Sequence, residues 1–318
     1  MFETVRQSVN QSFRTFLGPQ PRLGNMNFST PWVRKLPMAD GVALHVEDWV
    51  LPIGVPRRGC ALLVHGLGEH IGRYRHVIDS MLSVGIEVRG YDQRGFGRSP
   101  GPRAGLPHDH ALLDDVRLAY DDWCAERGEP AFLIGHSMGG TVAARAATGG
   151  WIRPRGLVLS SPAIATLRSR LQKLALLIGR RLSPNGVVPS GLNADLVSRD
   201  PTVVAAYRSD PFNHGLITPR LAGFIVDAGP RIIAAAPEVR FPTLVLIGTD
   251  DRLVDIAGAR RFHDRLPQAL RTLHAYDGLY HEIFNELPMH RARVLGDLQA
   301  WLVRISEGGD PESATTSA

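Results

Sequence analysis

Two hydrophobic patterns alternate along the chain. Ala61-Leu-Leu-Val64, Ala131-Phe-Leu-Ile134, Gly156-Leu-Val-Leu-Ser160 and Thr243-Leu-Val-Leu-Ile247 are short apolar runs without polar alternation, the pattern of strands buried on both faces. Ile86 to Val88 is a shorter run, Arg271 to Tyr276 a weaker match, and Val42 to Val50 alternates apolar and polar residues like a half-exposed strand. Between them, apolar positions recur at helical spacing over Tyr74 to Val84, Ala111 to Arg127, Met138 to Thr148, Asp255 to Leu266 and Met289 to Ile305. Strand followed by helix predicts an α/β fold: a mostly parallel central sheet with right-handed crossovers and helices on both faces.

One interval breaks the rhythm. Between Ser160 and Thr243 about eighty residues contain no good strand, so residues 163–241 are read as an insertion. The core then comprises 38–162 and 242–306, with 1–37 an N-terminal extension and 307–318, rich in Ser, Thr and Gly, a disordered tail. Ile164, Leu167, Leu171, Leu174, Ala175 and Ile178 give Ala163 to Leu182 an amphipathic helical pattern. Pro184, Pro189, Pro201, Pro211, Pro219, Pro230 and Pro237 limit later helices to short pieces. A helical lid over the carboxyl end of the sheet is expected.

Composition changes this picture little and charge changes it locally. At 318 residues, 44% hydrophobic and 21% charged, the chain can bury a large core, which excludes a disordered or fibrous protein. No apolar stretch approaches the ~18 residues that cross a bilayer, and Met1 to Asn10 lack the apolar segment of a secretory signal, which points to the cytoplasm. The net charge of +5 equals the contribution of Arg168, Arg170, Lys173, Arg180 and Arg181, which lie between Ala163 and Gly191 with no acid among them. Basicity confined to one patch argues against nucleic acid as a partner. The patch is either a solvated helix face or an interfacial face that rests on anionic lipid, peripheral to the inner membrane. Phe2, Val5, Val9, Phe13 and Phe16 lie at helical spacing and either form a second such face or pack on the body. Cys60 and Cys124 read as separate, buried, reduced thiols.

The candidate chemistry begins at Gly135-His136-Ser137-Met138-Gly139, a G-x-S-x-G between an apolar strand and a small-residue helix. A strand turning sharply into a helix around one strained residue leaves no room for flanking side chains, and it presents the Ser137 hydroxyl at the strand ends. Serine is a poor nucleophile until a base takes its proton and a carboxylate holds that base in the right tautomer. Of twelve histidines, His281 lies on a loop just beyond the last predicted strand, whereas His274, His290 and His263 fall in or at the start of predicted elements. For the acid, Gly248-Thr-Asp250-Asp251-Arg-Leu-Val-Asp255 offers three aspartates. Asp255 is placed to cap the next helix, and Asp251 is preferred over Asp250 for its offset from the strand-ending glycine. An oxyanion needs two backbone N–H donors, expected from Met138 and, in the loop His65-Gly-Leu-Gly-Glu-His70, from Leu67. No cofactor is required, and His65, Glu69 and His70 beside an oxyanion site need no metal. Gly90 to Gly97 fits neither a dinucleotide nor a P-loop spacing and reads as a structural turn.

From about Met38 to Arg304 these residues resemble the monoacylglycerol lipase and lysophospholipase L2 branch of the serine α/β-hydrolases, a serine aminopeptidase S33-like family. The resemblance rests on His65-Gly-Leu-Gly-Glu-His70 with Gly72-Arg73-Tyr74, Asp92-Gln-Arg-Gly-Phe-Gly-Arg-Ser99 and Gly135 to Gly140. Downstream it continues in Leu196-Val-Ser-Arg-Asp200, Tyr207-Arg-Ser-Asp-Pro211, Gly248 to Asp255, Tyr280-His-Glu282 and Asn285-Glu-Leu-Pro288. It implies an α/β-hydrolase fold with an inserted lid, a Ser137, Asp251 and His281 triad, and a single-chain lipid ester as substrate. It also implies that Glu69, Arg73, His136 and Tyr207 line the pocket for a glycerol head, although Glu69 and Arg73 could instead pair and brace the oxyanion loop. The lid is more cationic than that of the mammalian lipase, and Val254 stands where that enzyme has a cysteine. Lysophospholipase and broad carboxylesterase activities, a proline-directed peptidase and a catalytically silent binding protein are the competing readings.

Overall fold

The computed structural model describes residues 30–165 and 170–310, and their side chains except those of 170–174. The strands are β1 (Trp32–Pro37), β2 (Ala43–Trp49), β3 (Gly59–Val64), β4 (Ile86–Tyr91), β5 (Phe132–His136), β6 (Gly156–Ser160), β7 (Val188–Pro189), β8 (Leu216–Ile217), β9 (Thr243–Gly248) and β10 (Arg271–Tyr276). The helices are α1 (Arg75–Ser83), α2 (Ala111–Arg127), α3 (Met138–Thr148), α4 (Arg170–Leu182), α5 (Pro201–Ser209), α6 (Pro219–Ala235), α7 (Ile256–Arg265) and α8 (Pro288–Ser306). Eight strands form one sheet in the order β1-β2-β4-β3-β5-β6-β9-β10, antiparallel at β1/β2 and β2/β4 and parallel from β4 onward.

Strand period places the core on both faces. Leu62, Val64, Leu133, Leu157, Leu159, Val245 and Ile247 join one apolar cluster with residues of α2, α3, α6 and α7, such as Val116, Val142, Ile225 and Phe262. Their chain neighbours Ala61, Leu63, Phe132, Ile134, Val158, Leu244 and Leu246 point the other way, to Val77 and Ile78 of α1 and to Leu298 and Trp301 of α8. This is why the central runs carry no polar alternation: both sheet faces are dry. Cys60 is buried, which pushes its thiol up to about 12, and the half-buried Cys124 accepts the Ala131 N–H on its sulfur.

Several sequence expectations are corrected. The sheet takes in Trp32–Pro37, placed in the N-terminal extension by the pattern, because β1 pairs along β2 and Arg34 reaches Asp48, Asp122 and Glu126. The interval 163–241 does contain strand, a ribbon of β7 with β8. Ala163 and Ile164, expected to open its first helix, are buried in non-helical backbone, and the described part of that helix is Arg170–Leu182. Its last helix, α6, runs 17 residues through Pro230. An interior proline costs ~3 kcal/mol, but Leu221, Phe224, Ile225 and Ile232 are buried along that helix, each contributing about 1.5–3 kcal/mol, and Thr218 caps it at Leu221 N–H. Glu307, assigned to the tail, closes α8 and pairs with Arg58 at 2.9 Å. The apolar series Phe2 to Phe16, Arg168, the side chains of Arg170 and Lys173, and tail residues 311–318 lie outside the described residues. Among the described residues no helix is long and apolar enough to cross a membrane.

Candidate active site

Ser137 sits at the turn between β5 and α3 with φ +52° and ψ −119°, a conformation that L-residues adopt only when their surroundings enforce it. The flanking glycines permit the turn. A Cβ on Gly135 would lie 2.4 Å from the Gly139 carbonyl oxygen, and one on Gly139 would lie 2.3 Å from the carbonyl oxygens of Val64 and His65. Glycine at both positions therefore lets α3 lean against the ends of β3 and β5, and only then does the Ser137 hydroxyl reach the crevice.

Three distant loops meet there. His281 Nε2 lies 2.8 Å from Ser137 Oγ, and His281 Nδ1 lies 2.7 Å from Asp251 Oδ2. The other oxygen, Asp251 Oδ1, accepts the N–H groups of Leu253 and Val254, which fixes the carboxylate plane. Burial alone would push the Asp251 carboxyl up, but the His281 ring and those two N–H groups outweigh it and hold it below its usual range. For His281, burial opposes the charged ring, and the Asp251 carboxylate overcomes it, leaving the imidazole pKa raised. Of the competing aspartates, Asp255 caps α7 through Ala257 N–H as expected, and Asp250 is exposed.

The loop after β3 is pinned atom by atom. His65 Nε2 accepts the Gln93 N–H at 2.8 Å, so its proton is on Nδ1, which donates to the Gly66 carbonyl. Burial lowers the pKa of this ring and keeps it neutral. The Gly66 N–H donates to Glu69 Oε1 at 2.6 Å, and the His214 N–H donates to the Gly68 carbonyl. Leu67, between these two anchors, and Met138, the first residue of α3, line one cavity with Ser137 and His281. Its volume is about 320 Å³. The floor comes from the core loops; residues 190–193, Leu196, Ile217 and Ile225 of the insertion form the facing wall. A separate open cleft of about 460 Å³, lined by Arg199, Arg208 and Tyr280, contains none of Ser137, Asp251 or His281.

Glu69, Arg73, His136 and Tyr207, which the resemblance put around a glycerol head, are not among the residues lining this cavity. Buried charges need partners, and these residues find them in one another. Arg73 donates to Glu69 at 2.5 Å and makes a bidentate pair with Glu282 at 2.8 and 2.7 Å, while its guanidinium lies 4.7 Å from the centroid of the Tyr207 ring. Burial opposes ionisation of Glu69, but Arg73 prevails and holds the carboxyl down at about 2. The His136 ring lies tilted by 54° against the His281 ring with centroids 4.9 Å apart, and burial together with His281 pulls its pKa down to about 4. The sequence reading missed Glu282. Its neighbour Asn285 donates to it, and its backbone N–H is held by the Val197 carbonyl. The signal available was position alone, directly after His281.

A hydroxyl, an imidazole and a carboxylate in one hydrogen-bonded row, at the carboxyl ends of a mostly parallel sheet, define a serine hydrolase of the α/β-hydrolase fold. The family model described as "Serine aminopeptidase, S33" matches residues 55–288, and the chain belongs to that family. It is 36% identical over 268 residues to a monoacylglycerol lipase of Mycolicibacterium smegmatis, covering 83% of this chain and 94% of the relative. The crystal structure of the monoacylglycerol lipase of Paleococcus ferrophilus aligns with TM-score 0.75 at 32% identity, over 82% of this chain and 99% of the other. A soluble variant of the Saccharomyces cerevisiae monoglyceride lipase, solved with a substrate analogue, aligns with TM-score 0.78 at 25% identity, over 89% and 98%.

Proposed function

We propose that the chain cleaves carboxylic esters of single-chain lipids, monoacylglycerols first among them, through an acyl-enzyme and without a cofactor. Ser137 Oγ attacks the ester carbonyl carbon as its proton passes to His281 Nε2. The carbonyl oxygen takes up the electron pair against the N–H groups of Leu67 and Met138. The C–O bond to the alcohol then breaks, the leaving alkoxide takes the proton from His281, and the acyl group stays on Ser137. Water, deprotonated by the same Nε2, releases the carboxylic acid and restores the serine. Asp251 keeps the Nδ1 proton in place and stabilises the imidazolium of each half-reaction. The observation that carries this reading is the 2.8 and 2.7 Å row opening into a cavity walled by Leu67, Met138, Leu196, Ile217 and Ile225. The relatives named monoacylglycerol lipase supply the substrate class.

In this reading Glu69, Arg73 and Glu282 position the reacting groups and do not touch substrate. Glu69 holds the loop carrying Leu67, Glu282 adjoins His281, and Arg73 spans the two. The deciding experiment is a hydrolysis screen across acyl-chain lengths and head groups with Ser137→Ala as the blank. Turnover of monoacylglycerols above all other esters is expected, and equal turnover of esters of every class would overturn the assignment.

A lysophospholipid head is the second reading, favoured by Arg252. This exposed cation lines the cavity 5.7 Å from the Tyr280 ring centroid and has no carboxylate partner among the described residues. If the phosphate is recognised there, Arg252→Ala lowers lysophospholipid turnover and leaves monoacylglycerol turnover unchanged. The insertion is proposed to act as a lid whose outer edge meets lipid, since Leu177, Ile178, Val187 and Val188 are exposed beside Leu182, itself 81% exposed, within the most basic segment of the chain.

A further inference from the structure

A second cavity, of about 150 Å³, lies where the insertion meets the core and shares no residue with the one at Ser137. Arg145 of α3, Arg180 of α4, Asp227 and Arg231 of α6, and Asp109 and His110 just before α2 line it. Its carboxylates are already committed. Asp227 binds Arg180 at 2.7 Å, and Asp109 is shared between Arg180 at 3.6 Å and Arg220 at 3.3 Å. Arg145 and Arg231 both line the cavity, and neither has a carboxylate within ion-pair distance among the described residues. Burial together with the charge of Arg231 lowers the pKa of the Arg145 guanidinium. The His110 ring is held against Trp151, with centroids 5.6 Å apart. Three arginines line the cavity against two carboxylates that are already paired, so Arg145 and Arg231 are left with a mutual repulsion that a bound anion would remove, and guanidinium groups grip tetrahedral oxyanions through paired N–H donors. The volume equals that of about five waters, enough for one small oxyanion with part of its hydration and too little for an acyl chain.

We propose that this cavity binds a phosphate-type oxyanion between Arg145 and Arg231, and that the anion fastens α6 of the insertion to α3, the helix that starts beside Ser137. Arg145 stands seven residues along α3 from Met138, about 10 Å at helical rise, so the site is adjacent to the reaction centre without being part of it. The phosphate is either free in solution or carried on a lipid head, and the chemistry of recognition is the same.

The test titrates inorganic phosphate into the full chain at constant ionic strength, with calorimetry and thermal unfolding as readouts. Saturable binding with a rise in unfolding temperature is expected. Arg231→Gln and Arg145→Gln should each weaken it about tenfold, the loss of one charge-assisted contact. In phosphate-free buffer Arg231→Gln should unfold no lower than the parent, because it removes a repulsion, and its hydrolysis of a short soluble ester should be unchanged. Competition by glycerol 3-phosphate alone assigns a soluble phosphate, and competition by phosphatidylglycerol vesicles but not phosphatidylcholine vesicles assigns a lipid head. A phosphate effect that does not saturate, or that persists undiminished in Arg231→Gln, overturns the proposal. Arg231 is exposed, so that variant remains informative even if Arg145→Gln does not fold.

Discussion

Beneath the cavity at Ser137 and above it, the protein is built on opposite principles. Below, Glu69, Arg73 and Glu282 are almost wholly buried and tied to one another at 2.5 to 2.8 Å, so that the loop carrying Leu67 and the loop carrying His281 are cross-linked by charge. Above, the outer stretch from α4 to β7 shows Leu177, Ile178, Leu182, Val187 and Val188 to solvent. Buried ion pairs rarely add net stability, since desolvation cancels much of the attraction. What they supply is geometry, because a charge that has lost its partner cannot remain where it is. The floor is thus rigid where charge would develop in the reaction, and the insertion presents adaptable apolar surface where a lipid would enter.

The comparison breaks most severely at Ser137. Ser137→Ala should lower kcat by up to about a millionfold, as for loss of a nucleophile whose partners act as a unit, while the unfolding temperature stays within a few degrees. Labelling by a fluorophosphonate checks it directly, and labelling that survives the substitution sinks the assignment of the nucleophile.

Asp251→Asn comes next. The residue keeps its shape and loses the charge that raises the His281 pKa and selects its tautomer, so kcat should fall by about ten-thousandfold. The acid limb of the profile carries the sign. His281 must be neutral to accept the Ser137 proton, and its pKa lies above the ordinary 6.5, so activity is lost as pH falls through a value above 6.5. His136, pulled down to about 4, stays neutral throughout and does not contribute to this limb. In Asp251→Asn the residual activity should therefore have its acid limb displaced to lower pH. An unmoved limb would show that another group titrates.

How much of this was legible in the sequence depended on whether the cause was local. The glycines around Ser137 announce themselves because backbone meets backbone within a few residues, and Asp251 is separated from Asp250 and Asp255 by its offset from a strand end. Glu282 was not legible: its partner Arg73 lies 209 residues away, and nothing near Glu282 in the chain signals the pairing. The same holds for β1, whose Trp-Val-Arg-Lys-Leu-Pro lacks alternation because it is an exposed edge held by backbone pairing and by Arg34. Pro230 misled for the converse reason, since a local breaker was outweighed by a buried helix face that only the fold creates.

Glu282→Gln sharpens the comparison at intermediate size. The amide can still contact Arg73 but no longer balances its charge, and the two loops should drift relative to each other. A misplacement of about 1 Å costs as much as a hundredfold in rate, so kcat should fall by about ten- to a hundredfold with KM nearly unchanged and with the pH limb of His281 in place. A rise in KM at constant kcat would instead put Glu282 in contact with substrate, and the division between a bracing floor and a binding wall would fail.

The smallest effect belongs to the outer face of the insertion. Leu177→Ser with Leu182→Ser removes exposed apolar surface without touching the cavity lining, so hydrolysis of a short soluble ester should be unaltered. Burying a leucine contributes about 1.5–3 kcal/mol; with partial insertion of each side chain into a membrane surface, the pair should weaken binding to anionic vesicles by about tenfold. Binding and hydrolysis are measured on the same preparations, because the two regions are distinguished by which quantity moves. If soluble-ester turnover falls with vesicle binding, α4 helps to order the site and belongs with the floor. If neither changes, the exposed leucines have no interfacial role and lipid must reach Ser137 by another face.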